Sequence, residues 1–261
     1  MFAHTRDGTK LAYSILGDPT APSKIALIHS LAMDRAFWRP AAERLAGDAC
    51  VLTYDCRGHG ESDKPAGPFD LDMFADDLAD LLDAVKWSAA VVGGASMGGS
   101  VALAFAQRHA ARVRGLALFD TTAWYGADAR KAWAERGDKA LEHGLAALVE
   151  FQKTRWFSDA FRRARPEVVQ ACVDVFLRNE PGAYAQTCAM LGAFDLRAGL
   201  SRMRMPTRII VGEEDYATPP AMARAMHEGI EGSSLAVLAG ARHLTPLEAP
   251  DRAAEVIRAL L

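Results

Sequence analysis

A serine lies at the centre of a glycine-rich pentapeptide, Gly94-Ala-Ser96-Met-Gly98. Before it, residues 89–92 form an apolar run that predicts a strand, and after it residues 97–109 have helical spacing. A nucleophile on a tight strand-to-helix turn is held in strained backbone geometry, and small residues two positions away let the strand and helix approach each other. The helix that begins there directs free N–H groups at developing negative charge. We therefore predict that Ser96 is a catalytic nucleophile.

A serine hydroxyl is a weak nucleophile near neutral pH and needs a general base. Among the seven histidines, His243 is the strongest candidate, because it lies in a loop between a predicted strand at 235–238 and a closing helix at 250–261. Loops at the carboxyl ends of strands carry the functional groups of open α/β sheets. By contrast, we predict that His59, in Arg57-Gly-His-Gly, packs within its loop.

The base needs a carboxylate that fixes its tautomer and stabilises the imidazolium. Asp215 follows a predicted strand at 207–211 and completes the chain order serine, aspartate, histidine. Glu213 and Glu214 are close competitors. Asp120, at the end of a neighbouring predicted strand, is a second candidate, although we expect a structural role for it.

An acyl-transfer reaction also needs two N–H donors aimed at the oxyanion. We expect the first from the backbone of Met97, the residue after the nucleophile. The second should come from the loop after the predicted strand at 24–29, and we assign it to Leu31, with Ser30 as the alternative.

Strands and helices alternate along most of the chain, which predicts an α/β fold with a mostly parallel, twisted sheet and helices on both faces. The predicted strands are 24–29, 50–54, 89–92, 113–119, 207–211 and 235–238. The predicted helices between and after them are 34–46, 70–86, 97–109, 219–230 and 250–261.

The alternation is interrupted after residue 122. Residues 123–204 are rich in Trp, Phe and Arg and predict helices without a strand, including segments at 144–153 and 166–177. Ser96 lies before this stretch, whereas Asp215 and His243 lie after it. We therefore predict one core, formed by residues 1–122 and 205–261, with residues 123–204 inserted as a helical cap.

Composition excludes several classes of protein. Half of the 261 residues are hydrophobic, which is too many for a disordered chain. The formal net charge of −3 lacks the basic excess of nucleic-acid binders and of polybasic membrane-surface proteins. The first ten residues have no apolar signal-peptide core, so we expect a cytoplasmic protein. The sequence does not decide between a monomer and a homo-oligomer.

Together these residues resemble the α/β-hydrolase superfamily over nearly the whole chain. The matching segments are the His29 loop, Tyr54-Asp-Cys-Arg-Gly-His-Gly-Glu-Ser62, the Ser96 turn, Gly212-Glu-Glu-Asp215 and the His243 loop. The resemblance implies the α/β-hydrolase fold, and it is much less specific for substrate.

A narrower resemblance, to the 3-oxoadipate enol-lactonase group, implies hydrolysis of a lactone formed during aromatic catabolism. It rests on Thr154-Arg-Trp-Phe157, Arg165-Pro-Glu-Val-Val169, Gly182-Ala-Tyr-Ala185, Phe194-Asp-Leu-Arg197 and Thr218-Pro-Pro220. One segment departs from that group, which typically has Asn-Ser-Leu-Gly where this chain has His29-Ser-Leu-Ala32. This departure leaves open a lactonase-like esterase with another substrate.

The substrate pocket is expected between the cap and the carboxyl ends of the strands. Four aromatic residues are its candidate walls: Trp124, Trp133, Trp156 and Phe157. An acidic lactone would favour a cationic partner, and the candidates, none of them preferred, are Arg130, Arg155, Arg162 and Arg163.

The sequence as a whole predicts a serine hydrolase of the carboxylic-ester class that acts on a small ester or lactone, without cofactor or metal. An aryl or short-chain carboxylesterase with perhydrolase or haloperoxidase side activity is the alternative. A ligand receptor with the hydrolase fold is an alternative from a different class, and the intact set of Ser96, Asp215 and His243 argues against it.

Overall fold

The β-strands join into one eight-stranded sheet in the computed structural model, which describes residues 1–261. The strands are β1 (Phe2–His4), β2 (Lys10–Leu16), β3 (Lys24–Ile28), β4 (Cys50–Tyr54), β5 (Ala90–Ala95), β6 (Val113–Phe119), β7 (Thr207–Gly212) and β8 (Ser234–Leu238). Their spatial order is β1-β2-β4-β3-β5-β6-β7-β8. β1 and β2 pair antiparallel, and the six strands from β3 to β8 are parallel.

Helices connect the parallel strands, as the alternating pattern predicts. They are α1 (Arg39–Leu45), α2 (Leu71–Ala84), α3 (Met97–Arg108), α4 (Ala129–His143), α5 (Val149–Trp156), α6 (Asp159–Ala164), α7 (Pro166–Leu177), α8 (Pro181–Ala193), α9 (Pro220–Gly229), α10 (Thr245–Glu248) and α11 (Pro250–Arg258). α2 packs against α3, and α1 packs against α11. The predicted fold class is confirmed. None of these helices combines the length and apolar character that crossing a bilayer requires.

Two predicted helices begin differently in the structure. The segment predicted at 34–46 starts as a 3₁₀ helix, Arg35–Trp38, and the Asp34 side chain accepts a hydrogen bond from the N–H of Ala36. α1 follows, with Pro40 in its first turn, where a missing N–H is tolerated. The segment predicted at 144–153 does not start at Gly144, because that residue has a φ of +73° and ends α4.

Two strands were not predicted. β1 and β2 form a short antiparallel ribbon at one edge of the sheet, where β2 pairs with β4. Burial along β2 does not alternate, since Leu11 and Ala12 are buried and most of its other residues are half-buried. A strand with this burial lacks the period-2 signal that sequence patterns reveal.

Between β6 and β7 the chain forms helices only, α4 to α8 with 3₁₀ turns, and we call this part the helical insertion. All five helices lie inside the predicted interval 123–204. α4 packs along α8. The apolar side chains of the insertion, such as Trp133, Phe176 and Tyr184, belong to the same hydrophobic cluster as the sheet. The insertion therefore lies directly on the core.

The strand order reverses at β3, which lies between β4 and β5. In open parallel sheets, ligands bind at the carboxyl ends of the strands where the order reverses. The loop at His29 follows β3, and Ser96 follows β5. Asp215 follows β7, and His243 lies in the loop after β8. The fold thus brings all of these segments to one end of the sheet.

Candidate active site

Ser96 occupies the sharp turn between β5 and α3, with φ of +53° and ψ of −118°. Its backbone N–H donates to the carbonyl of Phe119 at 2.9 Å, which holds the turn against β6. A Cβ atom on Gly94 would lie 2.0 Å from the carbonyl oxygen of Gly98, and one on Gly98 would lie 2.2 Å from that of Ile28. Only glycine fits at both positions, so the sequence enforces the close approach of strand and helix.

The side chains of Ser96, His243 and Asp215 form a buried chain of hydrogen bonds. His243 Nδ1 lies 2.8 Å from Asp215 Oδ2, so this nitrogen carries the proton and donates to the carboxylate. His243 Nε2 is then the acceptor for the Ser96 hydroxyl, 2.9 Å away. A neutral imidazole that faces a serine hydroxyl can remove its proton, which activates the oxygen as a nucleophile.

The Asp215 carboxylate is held by several donors. The N–H groups of Ala217 and Thr218 donate to Oδ1 at 2.7 and 3.0 Å, and the Thr218 hydroxyl donates to Oδ2 at 2.8 Å. Burial by itself raises the pKa of Asp215, but the interaction with His243 and the bonds from Thr218 bring the pKa below its usual value. The carboxylate therefore stays ionised beside the histidine.

Asp120, the second candidate acid, forms no hydrogen bond with His243 or Ser96. Its buried carboxyl accepts from the N–H of Gly212 at 3.1 Å, and from the N–H and hydroxyl of Thr245 at 2.9 and 2.7 Å. Burial, and then the charge of Asp215, raise the pKa of Asp120 well above its usual value. Asp120 joins the ends of β6 and β7 to the segment after His243, which is the structural role expected for it.

Two backbone N–H groups lie near the Ser96 hydroxyl without an acceptor of their own. Met97 is the first residue of α3, so its N–H has no partner within the helix. The N–H of Leu31 donates to no protein atom. His29 Nδ1 lies 2.8 Å from the carbonyl oxygen of Ser30 and donates to it. Because the C=O and N–H of a trans peptide point in opposite directions, this bond turns the N–H of Leu31 the other way.

A small cavity of about 10 Å³, room for about one water molecule, adjoins Ser96 and His243, and the helical insertion covers it. Its remaining lining residues are Ser30, Leu31, Tyr125, Trp133, Arg136, Arg155 and Trp156. Trp133 and Trp156 thus lie where the sequence predicts a pocket wall.

Two of the predicted wall residues do not line this cavity. Phe157 is fully buried and stacks on Phe161 with ring centroids 5.1 Å apart, so it packs within the insertion. The guanidinium of Arg197 lies over the ring of Trp124, 3.6 Å from its centroid. Both residues lie outside the helices of the insertion, so helical spacing could not show which way these rings point.

Arg136 was not among the predicted site residues, yet it lines the cavity together with Arg155. Arg136 Nε donates to the Tyr184 hydroxyl at 2.6 Å, and its guanidinium lies 4.8 Å from the ring centroid of Trp133. Neither arginine has a carboxylate within 4.0 Å. Burial, and then the charge of Arg136, lower the pKa of Arg155. The i, i+3 spacing of Trp133 and Arg136 on one helix was the available signal.

An open groove on the helical insertion continues outward from the cavity. Tyr125, Trp133, Arg136 and Arg155 line both spaces, and Phe151 lines the groove only. The two arginines therefore lie between solvent and the Ser96 hydroxyl. The other candidate cations lie elsewhere, since Arg130 and Arg163 are exposed and Arg162 pairs with Asp159.

Comparison with known proteins yields consistent matches over nearly the whole chain. Residues 25–250 match a family described as the alpha/beta hydrolase fold. 3-Oxoadipate enol-lactonase 1 of Acinetobacter baylyi is 32% identical over 247 residues, which is 95% of this chain and 91% of that protein.

Two solved structures superpose closely. The enol-lactonase from Burkholderia xenovorans LB400 gives a TM-score of 0.95 at 32% identity, covering 100% of this chain and 99% of that one. A thermophilic esterase from Thermogutta terrifontis, with malate bound, gives a TM-score of 0.92 at 29% identity, covering 99% and 96% of the two chains.

Proposed function

The chain belongs to the α/β-hydrolase fold family, and on this premise we propose that it is a serine hydrolase that cleaves a carboxylic ester or lactone through an acyl-enzyme. The observation that carries the proposal is the buried chain of hydrogen bonds from Asp215 through His243 to Ser96. It lies at the point where the strand order reverses, beside a covered cavity.

In the proposed reaction, Ser96 Oγ attacks the substrate carbonyl while His243 Nε2 takes the hydroxyl proton. The N–H groups of Leu31 and Met97 hold the resulting oxyanion, and removal of one such donor costs about 3 kcal/mol in comparable enzymes. His243 then protonates the leaving alkoxide, the acyl-enzyme forms, and water activated by His243 hydrolyses it. A lactone keeps its leaving group on the acyl chain, so ring opening yields a single product.

We further propose that the substrate is a small lactone that carries a carboxylate. Arg136 and Arg155 line the cavity without an acidic partner, and their charges can meet a substrate anion there. The similarity to 3-oxoadipate enol-lactonases supports this substrate class. In this proposal residues 123–204 act as the cap that supplies both arginines.

A neutral aryl or short-chain ester is the second candidate substrate. It is favoured by the similarity to an esterase and by the segment His29-Ser-Leu-Ala32, which differs from the loop typical of the lactonase group. A comparison of kcat/KM for 3-oxoadipate enol-lactone, a neutral lactone and p-nitrophenyl acetate separates the two. The acidic lactone should be preferred by at least about tenfold over both neutral substrates, and a preference for the aryl ester would contradict the lactonase assignment.

The proposed nucleophile is tested by Ser96→Ala. We expect kcat to fall by about 10⁴-fold or more, because the remaining groups cannot form an acyl-enzyme. Circular dichroism should show an unchanged fold, and mass spectrometry should detect an acyl adduct only on proteins that retain Ser96. Ser201→Ala, at an exposed position, serves as the control. Hydrolysis of p-nitrophenyl acetate by folded Ser96→Ala at the wild-type rate would refute the mechanism.

A further inference from the structure

The residue before the proposed base, Arg242, reaches from the core into the helical insertion. Its side chain is 14% exposed. The Nη1 atom donates to the carbonyl of Thr154 at 2.8 Å and to the carbonyl of Phe157 at 3.1 Å, at the carboxyl end of α5. Guanidinium groups stabilise helix carboxyl ends, because the last carbonyls have no partner within the helix. From the loop after β8, Arg242 thus satisfies carbonyl groups at the carboxyl end of α5.

The same guanidinium also reaches the loop that carries the proposed acid. Its Nη2 atom donates to Glu214 Oε2 at 2.9 Å, and Glu214 is the residue before Asp215. Arg242 therefore joins three segments: the acid loop after β7, the base loop after β8, and the carboxyl end of α5. A planar fork of donors can hold several acceptors in fixed directions, which a lysine cannot reproduce.

Further hydrogen bonds reinforce this junction around the histidine. The N–H groups of His243 and Leu244 both donate to the carbonyl of Trp156, at 3.1 and 3.0 Å. Glu248 accepts from the N–H of Arg242 at 2.7 Å and from the hydroxyl of Ser158 at 2.8 Å. The residues on both sides of the imidazole are thus bonded to residues 154–158 of the insertion.

We propose that Arg242 is a positioning residue that sets the Asp215–His243 geometry by tying both loops to the carboxyl end of α5. This inference rests on the proposed roles of Ser96, His243 and Asp215. Acyl transfer is sensitive to the placement of the base, and an error of about 1 Å can cost about 10²-fold in rate. Arg242 does not line the cavity, so it acts on turnover through His243 and not on substrate binding.

The test compares Arg242→Gln and Arg242→Lys with a matched control, Arg258→Gln. Arg242 pairs with two carboxylates, those of Glu214 and Asp159, at 2.9 and 3.3 Å. Arg258 likewise combines an ion pair, with Asp48, and a bond to a backbone carbonyl, that of Arg44, but it lies on α11 away from the site. The substrate is p-nitrophenyl acetate, which carries no charge for the cavity arginines to bind. Thermal unfolding is measured for each variant, so that rates are compared on folded protein.

We expect Arg242→Gln to lower kcat by at least about tenfold while KM changes less than about threefold. A tenfold loss of kcat corresponds to about 1.4 kcal/mol of lost transition-state stabilisation. Arg242→Lys should fall between Arg242→Gln and wild type, since an ammonium can still pair with Glu214 but lacks the fork. Arg258→Gln should stay within about twofold of wild type. If Arg242→Gln does not fold, Arg242→Lys against Arg258→Gln carries the same comparison.

A double-mutant comparison tests the link to the acid loop. If Glu214 acts through Arg242, the double variant Glu214→Gln/Arg242→Gln should have the same kcat as Arg242→Gln alone. Additive losses would overturn the three-way link, and a kcat for Arg242→Gln equal to that of Arg258→Gln would overturn the positioning role. Neither result touches the proposed function, which fails only if Ser96→Ala remains active.

Discussion

At the scale of single residues, the two cavity arginines are the least expected feature of this protein. A buried charge without a partner is costly, so arginines in protein interiors usually pair with carboxylates. Arg136 instead bonds the Tyr184 hydroxyl, and the Arg155 guanidinium lies 5.6 Å from the ring centroid of Phe151. Both charges thus remain available to a substrate anion beside the proposed nucleophile.

Replacing these arginines should change substrate selectivity. We expect Arg136→Gln and Arg155→Gln each to raise KM for 3-oxoadipate enol-lactone by at least about tenfold, or about 1.4 kcal/mol, because the substrate carboxylate loses a charged donor. The kcat/KM for a neutral ester should change less than about threefold. Arg130→Gln, at an exposed position of α4, the helix that carries Arg136, is the control. Equal losses of kcat/KM on the acidic and neutral substrates would show that the arginines do not recognise the substrate carboxylate.

At the scale of elements, the turn from β5 to α3 shows how backbone contact places the serine. α3 begins directly at the end of β5, and it packs so closely that its Gly98 meets the carbonyls of Ile28 and His29 from β3 and its loop. The proposed nucleophile Ser96, the loop after β3 and both strands therefore depend on one contact between backbones.

A side chain at Gly98 should disrupt that contact. A Cβ atom there would lie 2.2 Å from the Ile28 carbonyl oxygen and 2.6 Å from that of His29, neither of which can rotate away. We expect Gly98→Ala to lower the free energy of unfolding by about 1–3 kcal/mol, as overpacking does, and to lower kcat as well. Gly182→Ala, in α8 with open space around it, should stabilise the protein by up to about 1 kcal/mol. Urea unfolding measures both, and a Gly98→Ala variant as stable as wild type would disprove the contact's importance.

At the scale of the whole molecule, stability should depend on pH through a few buried ionisable groups. The rings of His29 and His59 lie 5.0 Å apart in the interior. Burial, and then the charge of His29, lower the pKa of His59 to about 3, and burial lowers that of His29. Asp77 acts in the opposite direction, because burial raises its pKa to about 6 although Arg57 opposes this shift.

The sign of the histidine effect follows from proton binding. Between its ordinary pKa of 6.5 and about 3, His59 is neutral in the folded protein and protonated in the unfolded chain. The unfolded state then binds more protons, so the stability that is complete above pH 6.5 decreases as the pH falls towards 3. For a single group the slope is at most about 1.4 kcal/mol per pH unit.

Replacing His59 should therefore reduce the acid sensitivity of the fold. We expect the free energy of unfolding of His59→Gln to fall less steeply between pH 6 and pH 4 than that of wild type, by about 1 kcal/mol per pH unit. Urea titrations at each pH measure the slopes, with the exposed His143→Gln as the control. Parallel slopes for His59→Gln and wild type would show that His59 does not govern acid stability.

The residues proposed for the reaction were readable from the sequence because their signals are local. Gly94, Ser96 and Gly98 occupy a turn whose sterics involve only neighbouring residues and the strand beside it. Asp215 and His243 each follow a recognisable strand, and parallel strands bring their carboxyl ends to one edge of the sheet. The alternating pattern likewise predicted the parallel strands. It missed β1, which has only three residues, and β2, whose burial does not alternate.

The tertiary structure alone decided which side chains face the cavity and which loops are tied together. Arg136 and Arg155 meet at the cavity from different helices. Trp124 and Phe157 belong to the same insertion but do not line the cavity. Arg242 lies 88 positions from Thr154, the first of its partners in the insertion. Such contacts depend on how the helices of the insertion pack on the sheet, and helical spacing along the chain specifies a face but not the surface that covers it.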